Sequence, residues 1–144
     1  MKLILTEVVK PIKFEMLVDR ALDYDKKKID VVRQYVRFAI KELEIEGFFK
    51  LVFTSEKEKL GIKTTAFYRD RDKMVVVYAK NRMLGDILRS ITHELVHKRQ
   101  YEKGMITQPV QDIGGEIEDE ANAKAGAIIK TFIKKNSLSK YLFD

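Results

Sequence analysis

The stretch Ile91–Gly104, "ITHELVHKRQYEKG", holds both histidines of the 144-residue chain. His93 and His97 stand four residues apart, with Glu94 directly after the first. On an α-helix, residues i and i+4 share a face about one turn apart, so both imidazoles can reach one ion. Glu94 is rotated by roughly 100° from His93, which sets it beside a metal-bound water rather than on the metal. H-E-x-x-H is the signature of that arrangement. The bland alternative is a pair of surface histidines that happen to flank a glutamate.

The surrounding sequence has the helical period the arrangement needs. Between about residues 82 and 103, Leu84, Ile87, Leu88, Ile91 and Leu95 fall on one face. His93 and His97 lie off that stripe, on a flank that can face a cleft. Gly104 is placed to cap the helix. On the N-terminal side, "KMVVVYAK" (73–80), "TTAFYRD" (64–70) and "FFKLVFT" (48–54) are strand candidates. "RDRD" (69–72) reads as the hairpin turn between the first two. The unbroken run Val75–Val77 suits either a central buried strand or an edge that takes a peptide backbone by strand addition.

Farther out, residues 27–46 carry Ile29, Val32, Val36, Ala39, Ile40 and Leu43 at helical spacing, with Gly47 as a stop. Residues 3–9 are an additional short strand candidate. After a loop containing Pro109, a last helix is expected from about 113 to 135, ending near Asn136. The expected fold is α+β: an N-terminal helix, a small, mostly antiparallel sheet of three to four strands, the H-E-x-x-H helix and a C-terminal helix. Residues 1–144 read as a single domain, since neither a repeat nor a low-complexity linker interrupts them.

Composition narrows the chemistry. The chain contains no cysteine, which excludes disulfides and thiolate metal sites and fits a reducing cytoplasm. No apolar run approaches the ~20 residues of a membrane helix, and the interrupted start "MKLILTEVVKP" does not read as a signal peptide. A net charge of +6 permits weak, sequence-blind contact with nucleic acid, although a lysine-rich solvated surface explains it equally. No RNA-binding or zinc-finger signature accompanies the charge.

A catalytic zinc site takes three protein ligands and keeps one position open. Without a third histidine or a cysteine, the third ligand must be Asp or Glu. A third histidine six residues after His97 is excluded, because Lys103 stands there. The acidic cluster in "GGEIEDEANAKAGAII" (114–129) offers Glu116, Glu118, Asp119 and Glu120. On a helix, Glu118 falls into the apolar stripe with Ala125 and Ile129, whereas Glu116 and Glu120 point away and Asp119 lies on the flank. A carboxylate aimed into a core needs compensation, which a divalent cation supplies. Glu118 is therefore the expected third ligand and Glu120 the alternative. Two imidazoles and one carboxylate suit zinc. Asn122, one turn after Glu118, is placed to hold a ligating imidazole in its tautomer, or else to face solvent. Tyr101 and Tyr78 are candidate oxyanion donors or simply packing aromatics. Gln100 reads as a residue lining the cleft or, more readily, as an exposed polar one.

With these residues in hand, the chain resembles the gluzincins, small zinc metallopeptidases with H-E-x-x-H on one helix and a glutamate on the next. "EDEANAKA" (118–125) is similar to the E-x-x-A-N-x-x-A block of the ImmA/IrrE family and to small phage-encoded metallopeptidase-like proteins. The likeness covers roughly residues 73 to 130. It implies zinc on His93, His97 and Glu118, with Glu94 as general base. It also implies a minimal zincin fold with a strand edge above the active helix, a peptide or protein substrate, and a cytoplasmic site of action (the host cytoplasm for a phage-encoded chain). The alternative function is a non-catalytic zinc-binding structural or regulatory protein on the same scaffold.

Overall fold

The computed structural model describes residues 2–9, 12–58, 65–107 and 114–143, with side chains from Phe14 onward. The loop around Pro109, and Pro11, lie outside the described residues. The chain is α+β. In order it forms strands β1 (Lys2–Val9) and β2 (Ile12–Val18), helix α1 (Lys26–Leu43), strands β3 (Phe49–Thr54), β4 (Ala66–Arg69) and β5 (Met74–Tyr78), then helices α2 (Leu84–Glu102), α3 (Glu116–Asn136) and α4 (Ser139–Phe143).

The sheet is larger and less antiparallel than the sequence suggests: five strands in the order β1-β2-β3-β5-β4. β1–β2 and β4–β5 are antiparallel, whereas β2–β3 and β3–β5 are parallel. The reason is connectivity. Helix α1 carries the chain back before β3 begins, so β3 runs in the direction of β2. From β3 the chain crosses to the far edge as β4 and returns as β5 between the two. The run Val75–Val77 is therefore a central strand, and β4 forms the edge. β2 is legible in retrospect by its alternation, since Phe14, Met16 and Val18 are all buried beneath the helices.

One face of the sheet carries the core. Phe14 stacks on Phe49 at 5.6 Å. Leu51, Phe53, Val75 and Val77 meet Val32, Tyr35 and Val36 of α1 and Leu88, Ile91 and Leu95 of α2 in one cluster. The other face keeps a smaller cluster in which Val52 and Val76 are flanked by Leu17, Phe67, Met74 and Tyr78.

Helix ends follow local chemistry. The Asp25 carboxylate accepts from Lys28 N at 2.8 Å and caps α1. Replacing Asp25 with alanine should lower stability by about 1 kcal/mol, read as a shift in the denaturant midpoint at unchanged slope. Helix α1 stops at Leu43, with Glu44 in the left-handed conformation, rather than running on to Gly47. At α2 the expected stop holds: Gly104 has φ +72° just beyond the cap. The short helix α4, not anticipated from sequence, docks Phe143 on Gly85, where a Cβ would meet the ring at 2.2 Å.

Candidate metal centre and active site

Helix α2 presents His93 and His97 one turn apart, with ring centroids separated by 4.8 Å and Nε2 atoms by 3.2 Å. Helix α3 packs along α2, with Ala121 and Ala125 fully buried. Small side chains there allow a close approach of the two backbones. The first turn of α3 thereby brings Glu118 onto the imidazoles, with Oε1 2.8 Å from His97 Nε2 and Oε2 3.2 Å from His93 Nε2. One ligand atom from each of the three residues lies within 4.8 Å of the others.

Glu118 reaches this position from the rim of the helix interface rather than from its core. Its side chain is 35% exposed, and the buried stripe of α3 consists of Ala121, Ala125, Ile129 and Phe132. The stripe sits slightly to one side of where the helical wheel centres it, so the carboxylate lies at the edge of the helix interface. Glu120 is elsewhere: its Oε1 accepts from Gln100 Nε2 at 2.8 Å and its Oε2 lies 3.4 Å from Lys124 Nζ. Asn122 hydrogen-bonds the His93 ring. Burial and the neighbouring His97 hold His93 below the ordinary histidine range, against the pull of Glu118 and Asn122.

Glu94 lies on the strand side of α2 and is nearly buried. Burial, reinforced by the charge of Glu118, pushes its carboxyl up to about 8, while a hydrogen bond from the backbone N–H of Tyr68 works the other way. The sheet pairing explains that donor. Tyr78 N bonds Thr65 O, so hydrogen-bonded pairs alternate from there along β4, and the N–H of Tyr68 points away from β5, out of the sheet's edge. The edge of β4 thus meets α2 at Glu94.

The two tyrosines named from sequence separate. Tyr101 packs its ring on Tyr68 at 5.6 Å, on the β4 side of α2. Tyr78 belongs to the outer sheet face with Val52 and Val76. It follows two residues behind Val76 in the strand alternation and so points away from α2, which removes it as an oxyanion donor.

Gln100 is a correction of the opposite kind. It is 1% exposed, not a surface residue. Its Oε1 lies 2.7 Å from His97 Nδ1, and its Nε2 donates to Ile117 O at 3.1 Å as well as to Glu120. The spacing from His97 to Gln100 is i to i+3, which places them on one helix face and was the available signal. Behind the site, Thr92 donates to Leu88 O at 2.9 Å and bonds the buried Tyr35 hydroxyl, which ties α2 to α1.

The donor set fits a divalent cation. With Nδ1 of His97 engaged by the Gln100 carbonyl oxygen, the ring turns Nε2 toward the Glu118 carboxylate at 2.8 Å. A bare nitrogen and a carboxylate oxygen repel at that distance unless a proton or a cation lies between them. Two imidazole nitrogens and one carboxylate are a familiar ligand set for zinc. No protein-family model matches the chain, and no curated protein or solved structure matches it either.

Proposed function

We propose that this protein is a zinc-dependent metallopeptidase of the gluzincin type, with His93, His97 and Glu118 as ligands and Glu94 as general base. The observation that carries the reading is the joint position of Glu94. Its carboxylate sits one residue from a ligand, is nearly buried, and touches the edge strand through Tyr68 N–H. A purely structural zinc site has no need of that second carboxylate, and a closed structural site usually has four protein ligands.

Bound zinc would supply Lewis acidity toward a peptide carbonyl. The chain's own residues do the rest. On the β4 edge the Tyr68 carbonyl faces outward and can accept from an extended peptide beside α2, the N–H of the same residue being held by Glu94. Glu94 takes a proton from the attacking water at its carboxylate as the C–O bond forms. It then delivers that proton to the leaving nitrogen as the C–N bond breaks. Asn122 holds the His93 ring.

Protein purified without added metal should carry about one zinc per chain by elemental analysis, a stoichiometry set by a single three-residue site. His97→Ala should lose that zinc. Retention of full zinc in the variant would place the ion elsewhere and end the reading. Among the described residues no helix is long and apolar enough to cross a membrane.

A further inference from the structure

We propose that Gln100 is the positioning residue of the metal centre: its side-chain amide decides which nitrogen of His97 is bare and fastens the helix that carries Glu118. This rests on the zinc-site reading above. The argument is one of donors and acceptors. The amide has one donor end and one acceptor end. Its nitrogen faces two groups that can only accept, the Ile117 carbonyl at 3.1 Å and the Glu120 carboxylate at 2.8 Å. A flipped amide would set its oxygen against both. The oxygen is therefore committed to His97, 2.7 Å from Nδ1, and that contact requires a hydrogen on Nδ1. In the neutral ring, Nε2 is then left bare, facing Glu118.

The same amide spans both ligand-bearing helices. Gln100 lies one turn after His97 on α2, and its two acceptors flank Glu118 on the first turn of α3. This clasp is built from protein groups alone: Gln100 is 1% exposed and its bond to His97 is buried, while the Glu120 end is 34% exposed. The metal-free chain consequently presents its ligands already assembled, and binding need not order the first turn of α3.

The test combines nitrogen NMR of the histidine rings in metal-free protein, at a pH where they are neutral, with zinc affinity from competition against a chromophoric chelator. Wild type should show His97 protonated on Nδ1. Gln100→Leu should lose that signature and weaken zinc binding by about 10- to 100-fold. Gln100→Glu should keep the Nδ1 proton, because a carboxylate only accepts, but should weaken zinc binding, because it sets a carboxylate oxygen against both Glu120 and the Ile117 carbonyl. The double variant Gln100→Glu/Glu120→Gln exchanges donor and acceptor at the contact with residue 120, though not at the Ile117 carbonyl, and should recover part of the affinity with the Nδ1 proton in place. Backbone amide spectra establish that each variant is folded, and the rescue separates positioning from a general packing defect.

A His97 protonated on Nε2 in wild type would overturn the proposal. So would a Gln100→Leu protein with unchanged tautomer and affinity, or a double variant no better than Gln100→Glu. If wild type binds no zinc, the metallopeptidase reading fails, and the tautomer in the metal-free protein still decides the role of Gln100.

Discussion

Glu94→Gln should leave zinc bound and lower peptide hydrolysis by about 100- to 10,000-fold, the usual contribution of a general base. Glutamine keeps the size of the side chain but cannot take a proton from water. Cleavage of a peptide library at saturating zinc, run beside metal analysis, reads both halves of the expectation. A variant that hydrolyses at the wild-type rate would remove Glu94 from the reaction. A variant that loses hydrolysis yet keeps its biological function would favour the non-catalytic zinc protein instead.

The same substitution has a second expected effect in the metal-free protein. The Glu94 carboxyl is raised from 4.5 to about 8 on folding, burial being the main cause. Below the lower value the group is protonated in both states and contributes no pH dependence. Between the two values the folded chain holds a proton that the unfolded chain has released, so folding is progressively disfavoured as pH rises. Metal-free Glu94→Gln, which has no carboxyl there to titrate, should gain stability over wild type between pH 5 and 8, roughly the window in which the group titrates. Denaturant unfolding at several pH values measures the gap. A gap that closes with rising pH would contradict the burial argument.

Glu102→Ala should destabilise the fold by about 3–5 kcal/mol, because it leaves a buried ammonium without its counter-ion. Lys98 is 1% exposed and its Nζ lies 3.0 Å from Glu102 Oε2. Glu102 also receives the backbone N–H of Glu46 at 3.0 Å and of Gly47 at 2.9 Å, so the pair fastens the α1–β3 connection to the end of α2. Burial pushes the Glu102 carboxyl up, but the two backbone donors and Lys98 outweigh it and hold the group below its ordinary range. The stability it confers is therefore present above its unfolded pKa and is lost as pH falls through the lower, folded value. Wild type should weaken on acidification below about pH 4.5, and Glu102→Ala should show less of that acid dependence. Equal acid profiles for the two proteins would show that this carboxylate is not the group responsible. Lys98→Met, which removes the buried charge itself, should cost less than Glu102→Ala.

How far the sequence could be read varied with the range of the interaction. The three helices of the site region announced themselves by their period, and α2 and α3 begin and end within a few residues of the expected bounds. β3, β4 and β5 were visible as β-branched and aromatic runs. β2 does not stand out in the sequence although its alternation is regular, because it follows Pro11 closely and no turn pattern sets it apart. The sheet is mixed rather than mostly antiparallel, since a strand's composition does not record whether its neighbour arrives through a hairpin or a helix. Within the site, the two imidazoles and Glu94 were legible at once. The preference for Glu118 over Glu120 rested on helical phase, and the geometry agrees with it, although Glu118 lies at the rim rather than in the stripe.

What the sequence determined alone is what a single helix dictates: that His93 and His97 share a face, that Glu94 stands off that face, and that any third ligand among the usual donors is a carboxylate. These follow from the pitch of one helix and from a residue count. What only the tertiary structure decided is everything that needs two elements at once. The packing of α3 on α2 put Glu118 on the imidazoles and turned Glu120 to Gln100. The order of the sheet made β4 the edge and aimed Tyr68 N–H at Glu94. Those placements depend on how side chains of distant segments interdigitate, and a displacement of about 1.5 Å, one residue's rise along α3, would assign each role to a different residue.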